Sequence, residues 1–304
     1  MAKLHFSLVA PEQMLARTAR KHRTRGTDSS AMDTLAGISR SRALAHGAIA
    51  VLLMVAAMPG QTATTCAAES GAQTVPLVEL FTSEGCDSCP PADRWLTSQF
   101  PAAGTREAVS VLAFHVDYWD RLGWKDRFAT AEYTQRQHDA MRANGATFVY
   151  TPQVLAQGHD VPSWRAGKVG DILAAARKRP ARADVKLAID GDAGVGFAVR
   201  AQATVADRAL RKDAVLWVAY ADSGLVSDVK AGENRGARLS HDHVVRAFAT
   251  GANREADGRL SASATFARPR ENGTQPTVVA FVQRPATGEV LQAVALPLTD
   301  CLPP

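Results

Sequence analysis

Cys86 and Cys89 stand two residues apart in Gly85-Cys86-Asp87-Ser88-Cys89-Pro90-Pro91, where one kind of sequence gives way to another. Before them runs Val75 to Thr82, short, apolar and rich in Val and Leu, which reads as a buried strand. After them the pattern turns helical from about Ser88. Asp87 or Ser88 can cap that helix, and Pro90 and Pro91 suit a first turn whose amides need no helical partner. Trp95, Leu96 and Phe100 fall on one face. A second buried strand is expected at Val109 to Val116. A helix follows from Arg127 to Asn144, with Phe128, Tyr133 and Met141 free to pack and Asn144-Gly145 as its stop. Phe148 to Ala156 reads as a third strand interrupted by Thr151-Pro152, and Gly170 to Lys178 as a last helix halted before Pro180. Alternating strands and helices require crossover connections, and therefore a mainly parallel sheet.

From Asp184 the texture changes. Val185 to Ile189, Gly196 to Val205, Ala214 to Ala221, Leu260 to Ala267, Thr277 to Gln283 and Val290 to Pro297 are short alternating runs separated by Gly, Asp and Asn turns. They read as an antiparallel, β-sandwich-like domain. The expected organisation is residues 1–68 as an N-terminal extension and signal peptide, 69–183 as an α/β domain and 184–304 as a β-rich domain.

The formal charge of +5 invites a nucleic-acid reading, but its distribution removes it. Residues 1–68 carry eight Lys/Arg against Glu12, Asp28 and Asp33, which accounts for all of it and leaves the remainder neutral. Within that segment Arg40 and Arg42 precede the apolar run Ala48 to Met58, then Pro59-Gly60, then small residues from Ala63 to Ala68. That order is a secretory signal peptide, and the run is too short for the roughly 20 residues of a membrane span. Export to the periplasm or medium is therefore expected, with Met32 as the physiological start and no stable membrane span after cleavage. Cleavage before Cys66 would leave a cysteine able to pair with Cys301, whereas cleavage after Ala68 would remove it.

Two cysteines at this spacing can close a small disulfide ring, and a helix N-terminus stabilises the first thiolate. Cys86 is then the nucleophile toward a substrate disulfide, and Cys89, one turn inside the helix, resolves the mixed disulfide. Asp87 opposes thiolate formation at Cys86 by its charge. A static disulfide, or half of a zinc or copper(I) site, fits the same spacing. There is no second CxxC to complete a metal set; His241 and His243 stand two apart in the β domain and His115 follows the second strand, where a lone histidine more often packs or faces solvent. No cofactor is expected. Thr151-Pro152, at the start of a strand following the second helix, is a candidate cis bond that would bring backbone against the Cys86 sulfur.

These residues together resemble a known family. Gly85 to Asp93, Phe114-His115-Val116-Asp117-Tyr118-Trp119-Asp120 with Leu122-Gly123-Trp124, and Tyr150-Thr151-Pro152-Gln153 are similar to the markers of domain of unknown function 1223, a group of secreted thioredoxin-like proteins. Gly232-Glu233-Asn234-Arg235-Gly236 and Val244-Val245-Arg246 resemble its markers in the second half, so the likeness covers about residues 75–298. It implies an α/β thioredoxin-like domain followed by the β-sandwich-like one. The wider thioredoxin likeness implies roles for Cys86, Cys89 and Pro152, and protein thiols or disulfides as partners. Unlike thioredoxin, the chain has Gly85 where a Trp would precede the first cysteine, and an Asp-Ser interior in its CxxC. Glu79 stands within one residue of the position where thioredoxins carry a buried acid, which makes it a candidate proton acceptor for Cys89; a surface glutamate beside a strand is the alternative.

His115, Asp117, Tyr118, Trp119, Asp120 and Trp124 follow the carboxyl end of a strand, the edge where α/β sheets bind ligands. His115, Asp117, Trp119 and Thr151 are thus candidate substrate contacts, the alternative being a loop whose Trp residues pack on the β domain. Glu233, Asn234 and Arg235 read as a turn or domain-interface feature rather than as catalytic groups. The leading functional expectation is a thiol–disulfide oxidoreductase. The alternative is a non-catalytic binding module on the same scaffold, taking a protein or copper or zinc.

Overall fold

A computed structural model of the chain describes residues 66–102, 109–192, 196–251, 253–267 and 273–301, all within one compact unit. The segment read as a signal peptide, with Met32, lies outside the described residues.

Fifteen strands and three main helices make up the described chain. The strands are β1 (Cys66–Glu69), β2 (Leu77–Thr82), β3 (Ser110–His115), β4 (Gln153–Ala156), β5 (His159–Asp160), β6 (Asp184–Asp192), β7 (Gly196–Thr204) and β8 (Val215–Asp222). They continue with β9 (Leu225–Asp228), β10 (Arg238–His241), β11 (Val244–Thr250), β12 (Asn253–Arg254), β13 (Arg259–Ala267), β14 (Thr277–Gln283) and β15 (Val290–Pro297). The helices are α1 (Pro90–Gln99), α2 (Ala131–Ala143) and α3 (Lys168–Arg177).

Eight strands form one sheet in the order β15-β14-β8-β11-β3-β2-β4-β5, and five form another in the order β1-β6-β7-β13-β12. The first sheet is mixed rather than mainly parallel. β2 runs parallel to β3 and β3 to β11, but β4 returns antiparallel to β2, and the remaining pairs are antiparallel. Four of its strands come from before residue 184 and four from after, so the sheet crosses the boundary read from the sequence. β11 is the joint, pairing Val244 with Ala113 of β3 on one side and with β8 on the other. The five-stranded antiparallel sheet packs face to face on β8, β14 and β15 through Leu187, Ile189, Phe197, Val199, Tyr220 and Val278, which is a sandwich in this part of the molecule.

β2 is buried at all six positions because both of its faces are covered. Val78 and Leu80 meet Ala92 and Leu96 of α1 and Leu173 of α3. Leu77 and Phe81 meet Phe114 and Tyr133 on the other face. Burial of each such side chain contributes about 1.5–3 kcal/mol. α2 starts later than its hydrophobic pattern suggests, because the Thr130 hydroxyl accepts from the Tyr133 amide and caps the helix there. It ends where expected, with Asn144 bonding the Ala140 carbonyl and Gly145 at φ +66°. The third strand is only Gln153–Ala156: a proline cannot donate to the ladder, so pairing begins after Pro152. Phe148, read as part of that strand, is 69% exposed. The Thr151–Pro152 bond is cis. Among the described residues no helix is long and apolar enough to cross a membrane.

Candidate functional site

Cys86 and Cys89 form a disulfide in the turn between β2 and α1, with their Cα atoms 5.5 Å apart. The turn is held by its own backbone: the Cys86 amide bonds Ser83 O at 3.3 Å and the Cys89 amide bonds Cys86 O at 3.3 Å. Cys89 is the N-cap of α1, not a residue one turn inside it, and neither Asp87 nor Ser88 caps the helix. The reason is the pair of prolines: Pro90 occupies the first helical position, where its missing amide costs nothing, and that fixes the cap one residue earlier. Asp87 and Ser88 are exposed, yet both cysteine residues are 0% exposed, so Cys86 is no more open than Cys89 in the oxidised state.

Two hydroxyls touch the Cys86 sulfur: Ser88 Oγ at 3.3 Å and Thr151 Oγ1 at 3.4 Å. Thr151 is itself fixed by Trp119, whose Nε1 donates to Thr151 Oγ1 at 2.8 Å. Thr151 thus lies against the sulfur, Pro152 follows it, and Trp119 stands behind. Glycine before Cys86 leaves room for Trp119, since a Cβ at Gly85 would lie 3.0 Å from the Trp119 Cβ and the indole would have to shift. The chain's departure from thioredoxin at this position is therefore the space in which Trp119 packs.

The second half of the chain covers the turn. Asn234 Nδ2 donates to Glu84 O at 2.9 Å and to Cys86 O at 2.8 Å, and the exposed Glu233 accepts from the Asp87 amide at 3.1 Å. Gly232 sits at φ +73°, and a Cβ there would lie 3.3 Å from the Trp124 Cβ. The turn after β10 grips α1 from the side: Thr97 donates to Asp242 at 2.7 Å, and the His243 ring bonds Phe100 O at 2.7 Å. Burial pushes the His243 pKa down, against that bond and the nearby Asp242.

Beneath the turn lies a buried charged cluster. His115 Nδ1 pairs with Asp126 Oδ2 at 2.7 Å, and Asp126 also accepts from the amides of Glu84 and Phe128 at 2.9 Å each. Glu84 accepts from Trp124 Nε1 at 2.7 Å and lies 3.3 Å from His241 Nε2. The two imidazoles meet edge to face at 5.0 Å. Burial alone would lower the His115 pKa, but the Asp126 charge and hydrogen bond outweigh it and hold it above the usual value. Burial likewise tends to raise Asp126, and His115 holds it below the carboxylate range instead. Glu84 is held low against its own burial by His241, Ser227 and Trp124. Asp93, four residues after Cys89 on α1, is buried and raised by that burial, in spite of the nearby histidines and the hydrogen bond from Thr82 Oγ1 at 3.2 Å.

Several residues read from the sequence are elsewhere. Glu79 is 1% exposed and pairs with Arg136 of α2. It shares a sheet face with Leu77 and Phe81, away from α1, so it is neither a surface residue nor placed to serve Cys89. Alternation along β2 decides this: odd positions face α2, and α1 packs on even ones. His115, at 1% exposure, contacts Asp126 and not the surface beside the sulfurs. Asp117 takes the Thr134 hydroxyl at 2.6 Å, which ties the loop to α2. Glu84, Asp93, Asp126, His241 and Asn234 were not singled out as site residues. Of these only Asp93 had a local signal, because i and i+4 share a helix face; Asp126 meets the Glu84 amide through the loop after β3, and His241 and Asn234 reach Glu84 from β10 and the loop before it. Among the described residues no group of three or more His, Cys, Asp and Glu is placed to hold a metal ion.

Residues 77–283 match the family described as "Protein of unknown function (DUF1223)". The chain belongs to the DUF1223 family. Among solved structures, this DUF1223 protein is similar to a protein from Agrobacterium tumefaciens, with a TM-score of 0.53 and 26% identity over 75% of this chain and 96% of that one. It is also similar to HBP35 of Porphyromonas gingivalis, with a TM-score of 0.53 and 16% identity over 77% of this chain and 78% of that one, a likeness of fold alone. A comparison with the curated proteins finds no match.

Proposed function

We propose that this DUF1223 protein is an exported thiol–disulfide oxidoreductase of protein thiols and disulfides, working through Cys86 and Cys89. The observation that carries the reading is the contact of the Thr151 and Ser88 hydroxyls with the Cys86 sulfur, ahead of a helix N-terminus. Both can donate to a thiolate at Cys86, and hydrogen bonding to the charged form favours it, as does the helix dipole. In the reduced protein the Cys86 thiolate attacks one sulfur of a substrate disulfide, and the other substrate sulfur leaves as a thiolate that takes up a proton. Cys89, losing its proton, then attacks the Cys86 sulfur and expels the second substrate thiol. The substrate disulfide is reduced and the Cys86–Cys89 pair oxidised; the reverse sequence oxidises a substrate dithiol. Trp119 and Pro152 shape the ground beside the sulfur through Thr151.

Participation of β1 in the fold bears on processing. Cys66 pairs with Cys301 and β1 with β6, which supports cleavage before Cys66 rather than after Ala68.

A second reading, a binding module with a static disulfide, draws support from the full burial of both cysteines under the Asn234 loop. Expression of Cys89→Ser in the exporting host separates the two. The oxidoreductase accumulates mixed disulfides through Cys86, released by dithiothreitol and absent from the Cys86→Ala, Cys89→Ser control. A static module yields none.

A further inference from the structure

On the face of the main sheet turned away from α1, a cavity of about 310 Å³ opens between α2 and the strands β8, β11 and β14. Its volume is at the small end of ligand sites. Glu79 and Arg136, both buried, line it together with Gln283, Trp217, Phe248 and Ala140. Two of the three guanidinium nitrogens are already engaged. Arg136 Nε donates to Glu79 Oε1 at 2.8 Å, Nη2 adds a bond to Gln283 Oε1 at 3.2 Å, and four aromatic rings surround the charge at 4.9–5.3 Å from their centroids. The carboxylate is not: both arginine bonds go to Oε1, and Glu79 Oε2 is buried without a hydrogen-bond partner. A buried acceptor on a charged group costs free energy when left unpaired, and calls for a donor. Glu132 at the same cavity adds negative charge, Asp139 there being paired with Arg142, and Trp217 stacks on Phe248 at 4.9 Å and 9° to form a flat apolar wall.

We propose that this cavity binds a small organic amine, its ammonium group on Glu79 Oε2 and its apolar body along Trp217 and Phe248. The proposal stands apart from the dithiol chemistry, since none of these residues touches the cysteine turn. Phenethylamine is the probe, with 3-phenylpropionate as its counterpart of opposite charge. By calorimetric titration of the mature oxidised protein, phenethylamine binds saturably and at least about tenfold more tightly than 3-phenylpropionate. Glu79→Gln, which keeps an acceptor for Arg136 but removes the charge, weakens it at least about tenfold. Ala140→Leu, which leaves the Glu79–Arg136 pair in place and narrows the cavity, abolishes it; circular dichroism checks that each variant folds. The proposal is overturned by the absence of saturation below about 10 mM, by equal affinity for the two probes, or by binding that survives Ala140→Leu.

Discussion

Asp126 holds three groups at once: the His115 ring, the Glu84 amide and the Phe128 amide. It thereby fixes the loop carrying Glu84 immediately before the cysteine turn. The pair also sets a pH dependence. His115 has its folded pKa raised above 6.5, so its contribution is fully present below that value and is lost as pH rises through the folded pKa. Asp126, lowered from 3.8, contributes above that value and loses its contribution as pH falls through the folded one. Asp126→Asn leaves a buried imidazolium without its counter-charge, and is expected to cost about 3–5 kcal/mol at about pH 5.5. At about pH 9 the loss is smaller, because the imidazolium contributes less there. Urea unfolding at the two values checks this, and an equal loss at both would remove the ion pair from the account. The histidine was legible as a residue at the end of a strand, but its partner was not. Nothing in the spacing of His115 and Asp126 announces a loop that folds back on itself.

At the scale of elements, α2 is fastened to the sheet by a charge pair set among aromatic rings rather than by apolar contact alone. Arg136 reaches Glu79 of β2 while Phe114, Trp217, Phe248 and Phe281 surround it. Arg136→Met strands a buried carboxylate and is expected to destabilise by about 3–5 kcal/mol, whereas Glu79→Leu with Arg136→Met recovers most of that loss. The measurement is a double-mutant cycle in urea, and additive losses would show the pair to be uncoupled. Strands β2 and β3 and helix α1 were readable from continuous apolar runs and a proline-marked start, since burial on both faces writes itself into the sequence. β4 was readable only in its second half, where pairing resumes after Pro152. β11 was missed as a strand: Val244–Thr250 is half-buried along most of its length, and its role as the joint between the two halves of the sheet depends on a partner, β3, more than a hundred residues away.

The described residues form one unit because their main sheet is shared. Beside β2, β3 has its second neighbour in β11, and the loops after β9 and β10 close over Cys86 and grip α1. Residues 66–183 alone would expose the edge of β3 and the apolar face of β2, and are expected to show no cooperative thermal transition by circular dichroism. A sharp transition would restore two independent domains. The sequence pattern could suggest two textures, one alternating strands with helices and one all strand, but not that a single sheet runs through both, because texture is local and strand order is not. The same is true of the site: the cysteines, Thr151 and Trp119 were visible in the first half, while Asn234 and His241 arrive from the second. An oxidoreductase requires that this covered disulfide exchange. Equilibrating the mature protein with glutathione or dithiothreitol buffers, followed by alkylation and mass mapping, gives its reduction potential directly. A catalytic pair gives a value above about −300 mV, with Cys86 alkylated before Cys89; a pair that stays oxidised well below about −300 mV, or in which Cys89 reacts first, contradicts the oxidoreductase reading.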